Sequence, residues 1–174
     1  MERMRFLAPL AVTLALTAAG GSGWHTFRNL GISVRFPAGW HATARQLTPV
    51  DYPIQVLAVA SYPFPRDPRP NGCLPAGTLA EMPPRGALIV GIEYISAQRG
   101  GTIDRHAARV FPPRPAHFRL GSARRFECSG KSYRLLFQDA GRFFQVSVAF
   151  GPKARAHVRA TVLRVLDSFR AKRR

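Results

Sequence analysis

Residues 132–150, SYRLLFQDAGRFFQVSVAF, decide the fold. On both arms of this stretch every second side chain falls on the same, largely apolar face, which is the period-two pattern of a β-strand. One face carries Tyr133, Leu135 and Phe137 on the first arm, and Phe144, Val146, Val148 and Phe150 share a face on the second. Between the arms, Asp139-Ala140-Gly141-Arg142 contains a glycine that can adopt positive φ in a tight turn. The stretch predicts a β-hairpin with a large apolar face, which another element must cover.

The residues that follow the hairpin are predicted to provide this cover. Gly151-Pro152 interrupts the strand pattern, and proline suits the first turn of a helix. Apolar residues then recur at helical spacing at Val158, Val162, Val165, Leu166 and Phe169. The helix would place His157, Arg164 and Asp167 on its far side. The basic tail, Ala171-Lys172-Arg173-Arg174, either complements the dipole at the helix end or contacts a polyanion.

The rest of the chain is also rich in strand patterns. We predict strands at 24–28, 32–36, 55–62, 87–95 and 124–128, a turn at Asn29-Leu30-Gly31 and one helical turn at 78–82. The strand at 55–62 is almost wholly apolar and should lie inside the sheet. Residues 62–77 and 98–120 are predicted connectors, because prolines remove ladder donors from them. The predicted fold is α+β, a single-domain sandwich over residues 21–174 with a mostly antiparallel sheet and a C-terminal amphipathic helix packed on it.

The first 20 residues have the pattern of a signal peptide. A basic start is followed by an apolar run at 6–16 and a small-residue exit at 17–21. The run is about half as long as a membrane span. We expect cleavage near Ala19-Gly20, export as a secreted, periplasmic or envelope-associated protein, and no transmembrane segment in the mature chain. No cysteine stands at the cleavage site, so a lipoprotein is not expected.

The charge is strongly one-sided. The 174 residues contain 26 Lys and Arg against 9 Asp and Glu, a formal net charge of +17. This balance indicates either an anionic partner, such as an envelope polymer, an anionic lipid or an acidic protein, or compositional drift toward arginine codons. Drift explains arginine over lysine but not the few carboxylates. The candidate anion-contacting residues, on or beside strands with predicted outward faces, are Arg28, Arg35, Arg124, Arg125 and Arg134.

The two cysteines, Cys73 and Cys128, predict one disulfide if the protein is exported. It would tie the proline-rich loop to the body of the domain. The alternative is a pair of thiols in a redox or metal site, but C-x-x-C spacing and an accompanying histidine pair are both missing from the sequence.

Motifs of catalysis and cofactor binding are weak. Ser129-Gly130-Lys131-Ser132 matches the end of a phosphate-binding loop, but Arg125 replaces the required glycine and a strand pattern follows. The sequence has no G-x-S-x-G motif, H-x-x-x-H motif or dense acidic loop. We therefore predict no catalytic residues, no metal, no cofactor and no specific nucleic-acid motif. The alternative is an enzyme whose site assembles from dispersed residues, with His41, His106 or Glu93 in one pocket.

Two groups of residues have both a structural and a functional interpretation. Glu93 and Glu127 lie in predicted strands, where they suit partners of nearby arginines better than a catalytic dyad. The aromatic residues around the first hairpin, Trp24, Phe27, Phe36 and Trp40, suit core packing or a stacking platform for sugars or bases. Alternation along the strand favours the core for Phe36.

The segment FRNLGISVRFPAGW at 27–40 resembles the start of PsbP-like proteins, in which a strand ends in an aromatic residue, proline, a small residue, glycine and tryptophan. The closing hairpin and helix, with Leu166-Asp167-Ser168-Phe169, are similar as well. The resemblance implies a single α/β sandwich in a family of exported bacterial proteins and extrinsic photosystem subunits. It implies no catalytic residues. With the charge, it predicts an exported, non-enzymatic binding or accessory protein of the bacterial envelope; a structural subunit of an extracytoplasmic assembly is a further alternative.

Overall fold

The computed structural model describes residues 23–47, 53–65, 76–94, 109–126 and 130–173. In chain order the elements are β1 Trp24–Asn29, β2 Ile32–Pro37, β3 His41–Thr43, β4 Ile54–Ala60, α1 Ala76–Ala80, β5 Ala87–Glu93, β6 Arg124–Phe126, β7 Gly130–Asp139, β8 Arg142–Phe150, α2 Ala156–Asp167 and β9 Arg170–Ala171. The strands form a six-stranded sheet in the order β3-β4-β5-β8-β7-β6 and a three-stranded sheet in the order β1-β2-β9.

The central hairpin is the predicted one. β7 and β8 pair antiparallel from Ser132 opposite Ala149 to Asp139 opposite Arg142. The turn residues Ala140 and Gly141 have φ of 52° and 75°. Two consecutive positive φ angles give the turn a twist that matches the twist of the strands it joins. The two-residue connection fixes the register, and so fixes which side chains share a face.

The six-stranded sheet is covered on one face by α2 and by the β1–β2 hairpin. Ile32 of the hairpin, Phe144 of the sheet and Val165 of α2 belong to one buried cluster. Val162 and Leu166 also lie on the buried side of the helix, and Phe169, which the sequence pattern places on the helix but which follows its end, joins the same cluster; each is at most 3% exposed. A mostly antiparallel sheet with a C-terminal helix on it is the coarse architecture that the sequence predicts.

The opposite face of the sheet carries a second apolar cluster. Leu88, Val90 and Ile92 of β5 pack there with Tyr62 and, at the rim, with Leu79 of α1. The Tyr62 hydroxyl donates to the Thr78 carbonyl at 2.8 Å, and burial, with Glu81 nearby, raises the pKa of Tyr62. β4 lies between β3 and β5 and is buried along six of its seven residues, as its apolar sequence predicts.

The proline-rich segment that follows residue 109 protects the edge of β7. The Gln138 N–H donates to the Pro112 carbonyl, and the Arg114 N–H donates to the Gln138 carbonyl, both at 2.8 Å. Phe111 packs against Phe143 on one side of the sheet. Phe118 packs against Phe137 on the other. The segment therefore does more than connect: it pairs with an edge that would otherwise be open to other strands.

The end of the chain differs from the prediction. α2 ends at Asp167, and Arg170–Ala171 then form β9 against β2, with Ile32 opposite Ala171. The basic tail is therefore not the end of the helix. Asp167 is also not on a purely solvent-facing side, because its Oδ1 accepts the Phe118 N–H at 2.7 Å. β3 and β9 span only three and two residues, too few for a periodic pattern to predict.

Several predictions lie outside the described residues. These are the signal peptide at 1–20 with its cleavage near Ala19-Gly20, the Cys73–Cys128 disulfide, and the roles of His106 and Glu127. Over the ranges given above, no helix has the length and apolar content needed to cross a bilayer.

Candidate anion-binding surfaces

The five candidate arginines are all exposed, but they lie on different surfaces. Arg28 of β1 and Arg35 of β2 belong to the three-stranded sheet. Arg124 and Arg125 stand next to each other in β6, opposite Ser132 and Lys131, and Arg134 lies further along β7. Because successive side chains of a strand point to opposite faces, Arg124 and Arg134 share one face of the large sheet and Arg125 is on the other.

The three-stranded sheet collects arginines on its outer face. Arg28 is opposite Ser33 of β2, and Ser33 is opposite Arg170 of β9, so the three side chains form one cross-strand row. Arg35 is two residues along β2 on the same face, opposite Thr26. Arg28 and Arg170 are two strand spacings apart, about 10 Å. We call Arg28, Arg35 and Arg170, around Ser33, the outer arginine face.

The side of α2 that flanks this sheet adds another arginine and an aromatic ring. The guanidinium carbon of Arg164 lies 5.1 Å from the centre of the Trp24 ring, which is half-buried. Trp24, like Phe27, Phe36 and Trp40, packs against the main core. Of the two interpretations of these aromatic residues, the structure supports core packing.

The acidic residues of the described segments are mostly engaged within the fold. Asp139 Oδ2 accepts the Ala171 N–H at 2.9 Å, and Asp167 accepts the Phe118 N–H and contacts His117 Nδ1 at 3.1 Å. Glu93 is wholly buried. Glu81, at the end of α1, is the exposed one of the four. Three of the four carboxylates in the described segments are thus used to hold strands and loops together rather than to neutralise surface arginines.

Glu93 forms the tightest of these contacts. Arg142 Nε donates to Glu93 Oε1 at 2.8 Å and Arg142 Nη2 donates to Oε2 at 2.7 Å, a bidentate pair with both side chains no more than 2% exposed. Arg142 Nη1 also donates to the Lys172 carbonyl at 3.2 Å. The prediction that Glu93 pairs with an arginine is confirmed.

The structure does not bring His41 and Glu93 together. His41 is exposed in β3, in the cross-strand row of Ala60 and Leu88, whereas Glu93 is five residues further along β5. The offset of five residues along the strand direction is about 17 Å. A different histidine, His117, contacts Asp167, but its side chain is 83% exposed, so water surrounds the pair. No group of three or more His, Cys, Asp or Glu suited to a metal ion occurs among the described residues.

A cleft of about 430 Å³ opens at the end of the large sheet where β8 meets the loop to α2. Its walls combine two cations with aromatic and apolar side chains: Leu79, Met82, Ala123, Lys131, Tyr133, Ala149, Phe150, Gly151, Pro152 and Arg159. Gly151 forms part of the floor, where the Pro83 and Pro84 carbonyls leave no room for a Cβ atom. The cleft has the size of an ordinary small-molecule site.

Arg159 is held in place inside this cleft. Its guanidinium carbon lies 4.5 Å from the centre of the Phe150 ring, and its Nη1 donates to the Tyr133 hydroxyl at 2.9 Å. Lys131 and Tyr133 alternate with Ser132 along β7 and so share a face, and Arg125 lies opposite Lys131. Lys131 belongs to a strand that continues to Asp139, so the helix that a phosphate-binding loop requires does not follow.

Sequence reasoning missed Arg170, Arg159 and Arg164. Arg170 is in a strand of two residues, and the partner that places it, β2, comes near the start of the chain. Arg159 and Arg164 are on the polar side of α2, where a helical pattern distinguishes solvent from core but does not say which neighbours the helix has.

Comparison with known proteins gives this chain no family. No family model matches the sequence, and no curated protein matches it. The likeness to PsbP-like proteins depends only on the motif residues at 27–40 and 166–169.

Proposed function

We propose that this protein is an exported, non-enzymatic binding module of the bacterial cell envelope that contacts an anionic polymer through the outer arginine face. The observation that carries this proposal is the cross-strand row of Arg28, Ser33 and Arg170, with Arg35 beside it. The strand positions that share this face contain no carboxylate. The signal-peptide pattern at 1–20 supports export, and the PsbP-like motif supports an accessory role in the envelope.

The chemistry of the row suits a partner with many anionic groups. Like charges on neighbouring strands destabilise a sheet, and an anion placed between them removes that repulsion. A guanidinium presents a planar set of donors that matches phosphate or carboxylate oxygens. The backbone positions of Arg28 and Arg170 are about 10 Å apart, and Arg170 has donors beyond the Nη1 that donates to the Asp167 and Phe169 carbonyls. Arginines at this spacing can each bind a separate anionic group, so a polymer gains from both at once.

Charge reversal on this face tests the proposal. We expect the double variant Arg28→Glu/Arg35→Glu to lose retention on isolated bacterial envelopes at about 0.2 M salt, where nonspecific attraction between separated surface charges is already screened. Both side chains are exposed, and the contacts of Arg170 are left intact, so the fold should persist. Retention is measured by sedimentation across a salt series, and thermal unfolding verifies the fold.

The matched control is Arg109→Glu/Arg119→Glu, which changes the net charge equally at exposed positions on the 109–126 segment. It should be retained like the unmodified protein. If both double variants lose retention to the same extent, bulk charge rather than the outer arginine face holds the protein on the envelope, and the proposal is wrong.

A further inference from the structure

We infer that the cleft between β7, β8 and α2 is a separate binding site for an organic phosphate, a phosphoryl group carried on a small apolar unit. This site goes beyond the proposed function, because it uses Lys131, Tyr133 and Arg159 and none of the arginines of the outer arginine face.

Donors converge on this cleft. The Tyr133 hydroxyl oxygen accepts from Arg159, so its own proton is directed elsewhere, and no acceptor within the described segments takes it. The Lys131 side chain is exposed and forms no hydrogen bond or ion pair with another described residue. The stacking of Arg159 on Phe150 fixes the guanidinium plane and leaves further N–H groups at its edge.

Three donors of this kind suit a tetrahedral oxyanion. A phosphoryl group has three terminal oxygens, and the Tyr133 hydroxyl, the Lys131 ammonium and the Arg159 guanidinium each supply a hydrogen to one of them. A carboxylate carries a single negative charge on two coplanar oxygens, whereas a phosphoryl dianion presents three oxygens and about twice that charge to the two cations of the cleft. Arg125, opposite Lys131 at the edge of the sheet, adds positive charge that attracts a dianion.

The remaining walls suit the carrier of the phosphoryl group. Leu79 of α1, Met82 just after it, Phe150 and Pro152 also line the cleft, and their side chains are apolar. An apolar carrier removes this surface from water on binding, which a free phosphate ion does not do. The ligand class is therefore a phosphate ester with an apolar carrier, and inorganic phosphate should bind more weakly.

Calorimetric titration of the full chain with phenyl phosphate tests the inference, with inorganic phosphate and benzoate as comparison ligands. We expect phenyl phosphate to bind at least tenfold more tightly than either, because inorganic phosphate lacks the apolar part and benzoate lacks the third oxygen. Tyr133→Phe removes one hydroxyl and keeps the ring, and it should weaken phenyl phosphate binding about tenfold. Lys131→Gln should have an effect of similar size.

The control variant is Arg119→Gln, which removes the same formal charge at an exposed position outside both proposed binding surfaces. It should change the affinity for phenyl phosphate less than twofold. Equal weakening by Arg119→Gln and Lys131→Gln would show attraction by net charge alone and overturn the site, as would unchanged binding in Tyr133→Phe. A negative result in the envelope experiment does not affect this titration, so the two proposals are tested independently.

Discussion

At the scale of single residues, two turns hold a side chain in a conformation that favours glycine. Leu30 has φ of 47° and Ala140 has φ of 52°, each followed by a glycine at 75°. Each turn therefore has a strained first position and an unstrained second one. The sequence predicts both turns through Gly31 and Gly141, but it gives no sign that the preceding residue also adopts positive φ.

Leu30→Asn should stabilise the protein. Asparagine tolerates the left-handed region better than leucine, and Leu30 is 52% exposed, so little apolar burial is lost. We expect a gain of about 0.5–1 kcal/mol, which raises the melting temperature by about 1–4 °C in a chain of this size. Thermal unfolding followed by circular dichroism measures it. Leu30→Ala keeps the strain and is the control; a melting temperature that falls in Leu30→Asn but not in Leu30→Ala would contradict the strain argument.

At the scale of elements, α2 packs well against the sheet, but its N-terminus is poorly capped. Its apolar side is buried as the pattern predicts, yet the N-cap residue is Arg155, whose side chain makes no capping hydrogen bond. The first turn holds no acidic residue, and Arg155 and Arg159 place positive charge at the positive end of the helix dipole. The stability of the helix thus comes from packing against the sheet rather than from its own ends.

Arg155→Asp should stabilise the N-terminus of α2. The aspartate side chain can accept a backbone N–H of the first turn, and its charge suits the dipole. We expect the free energy of unfolding in urea to rise by about 1 kcal/mol. Arg155→Ala removes the charge without adding a cap and should gain less. If the aspartate variant is no more stable than the alanine variant, capping at this position contributes nothing.

The short elements show where local patterns fail. β9 exists because Arg170–Ala171 meet β2, with the Lys172 N–H donating to the Gly31 carbonyl at 2.9 Å. A stretch of two residues is too short to show the alternating pattern that predicts a strand. The proline-rich stretch at 112–115 likewise predicts a connector, and only its approach to Gln138 turns it into protection for an edge.

At the scale of the whole molecule, the Glu93–Arg142 pair joins the two sheets. Glu93 ends β5 and Arg142 begins β8 in the large sheet, while Arg142 also reaches the carbonyl of Lys172 beside the β1–β2 turn. A Cβ atom on Gly31 in that turn would lie 3.1 Å from Arg142 Nη1, so the turn and the guanidinium are closely packed. The buried ion pair therefore contributes to the docking of the small sheet on the large one, together with the packing of Ile32 and Val34 in the main core.

Glu93→Gln should destabilise the fold by about 3–5 kcal/mol, because it leaves the Arg142 charge buried without its counterion. Urea unfolding measures the loss. The double variant Glu93→Met/Arg142→Met removes both charges and should recover a large part of it. A single variant as stable as the unmodified protein, or a double variant less stable than the single one, would contradict this role.

The sequence by itself determined the strands of the hairpin, the apolar side of α2, the interior position of β4 and the excess of positive charge. These are properties of composition and of spacing along a few neighbouring residues, and period-two and 3.6-residue patterns record them directly.

Only the tertiary structure decided which charges meet. Arg28 and Arg170 share one cross-strand row, Arg159 lies beside Tyr133, and Arg142 lies against Glu93, although each pair is distant along the chain. Strand register and the docking of one element on another create such neighbours, and both depend on how the whole chain closes around its core. The outer arginine face and the cleft are therefore products of folding that local spacing does not record.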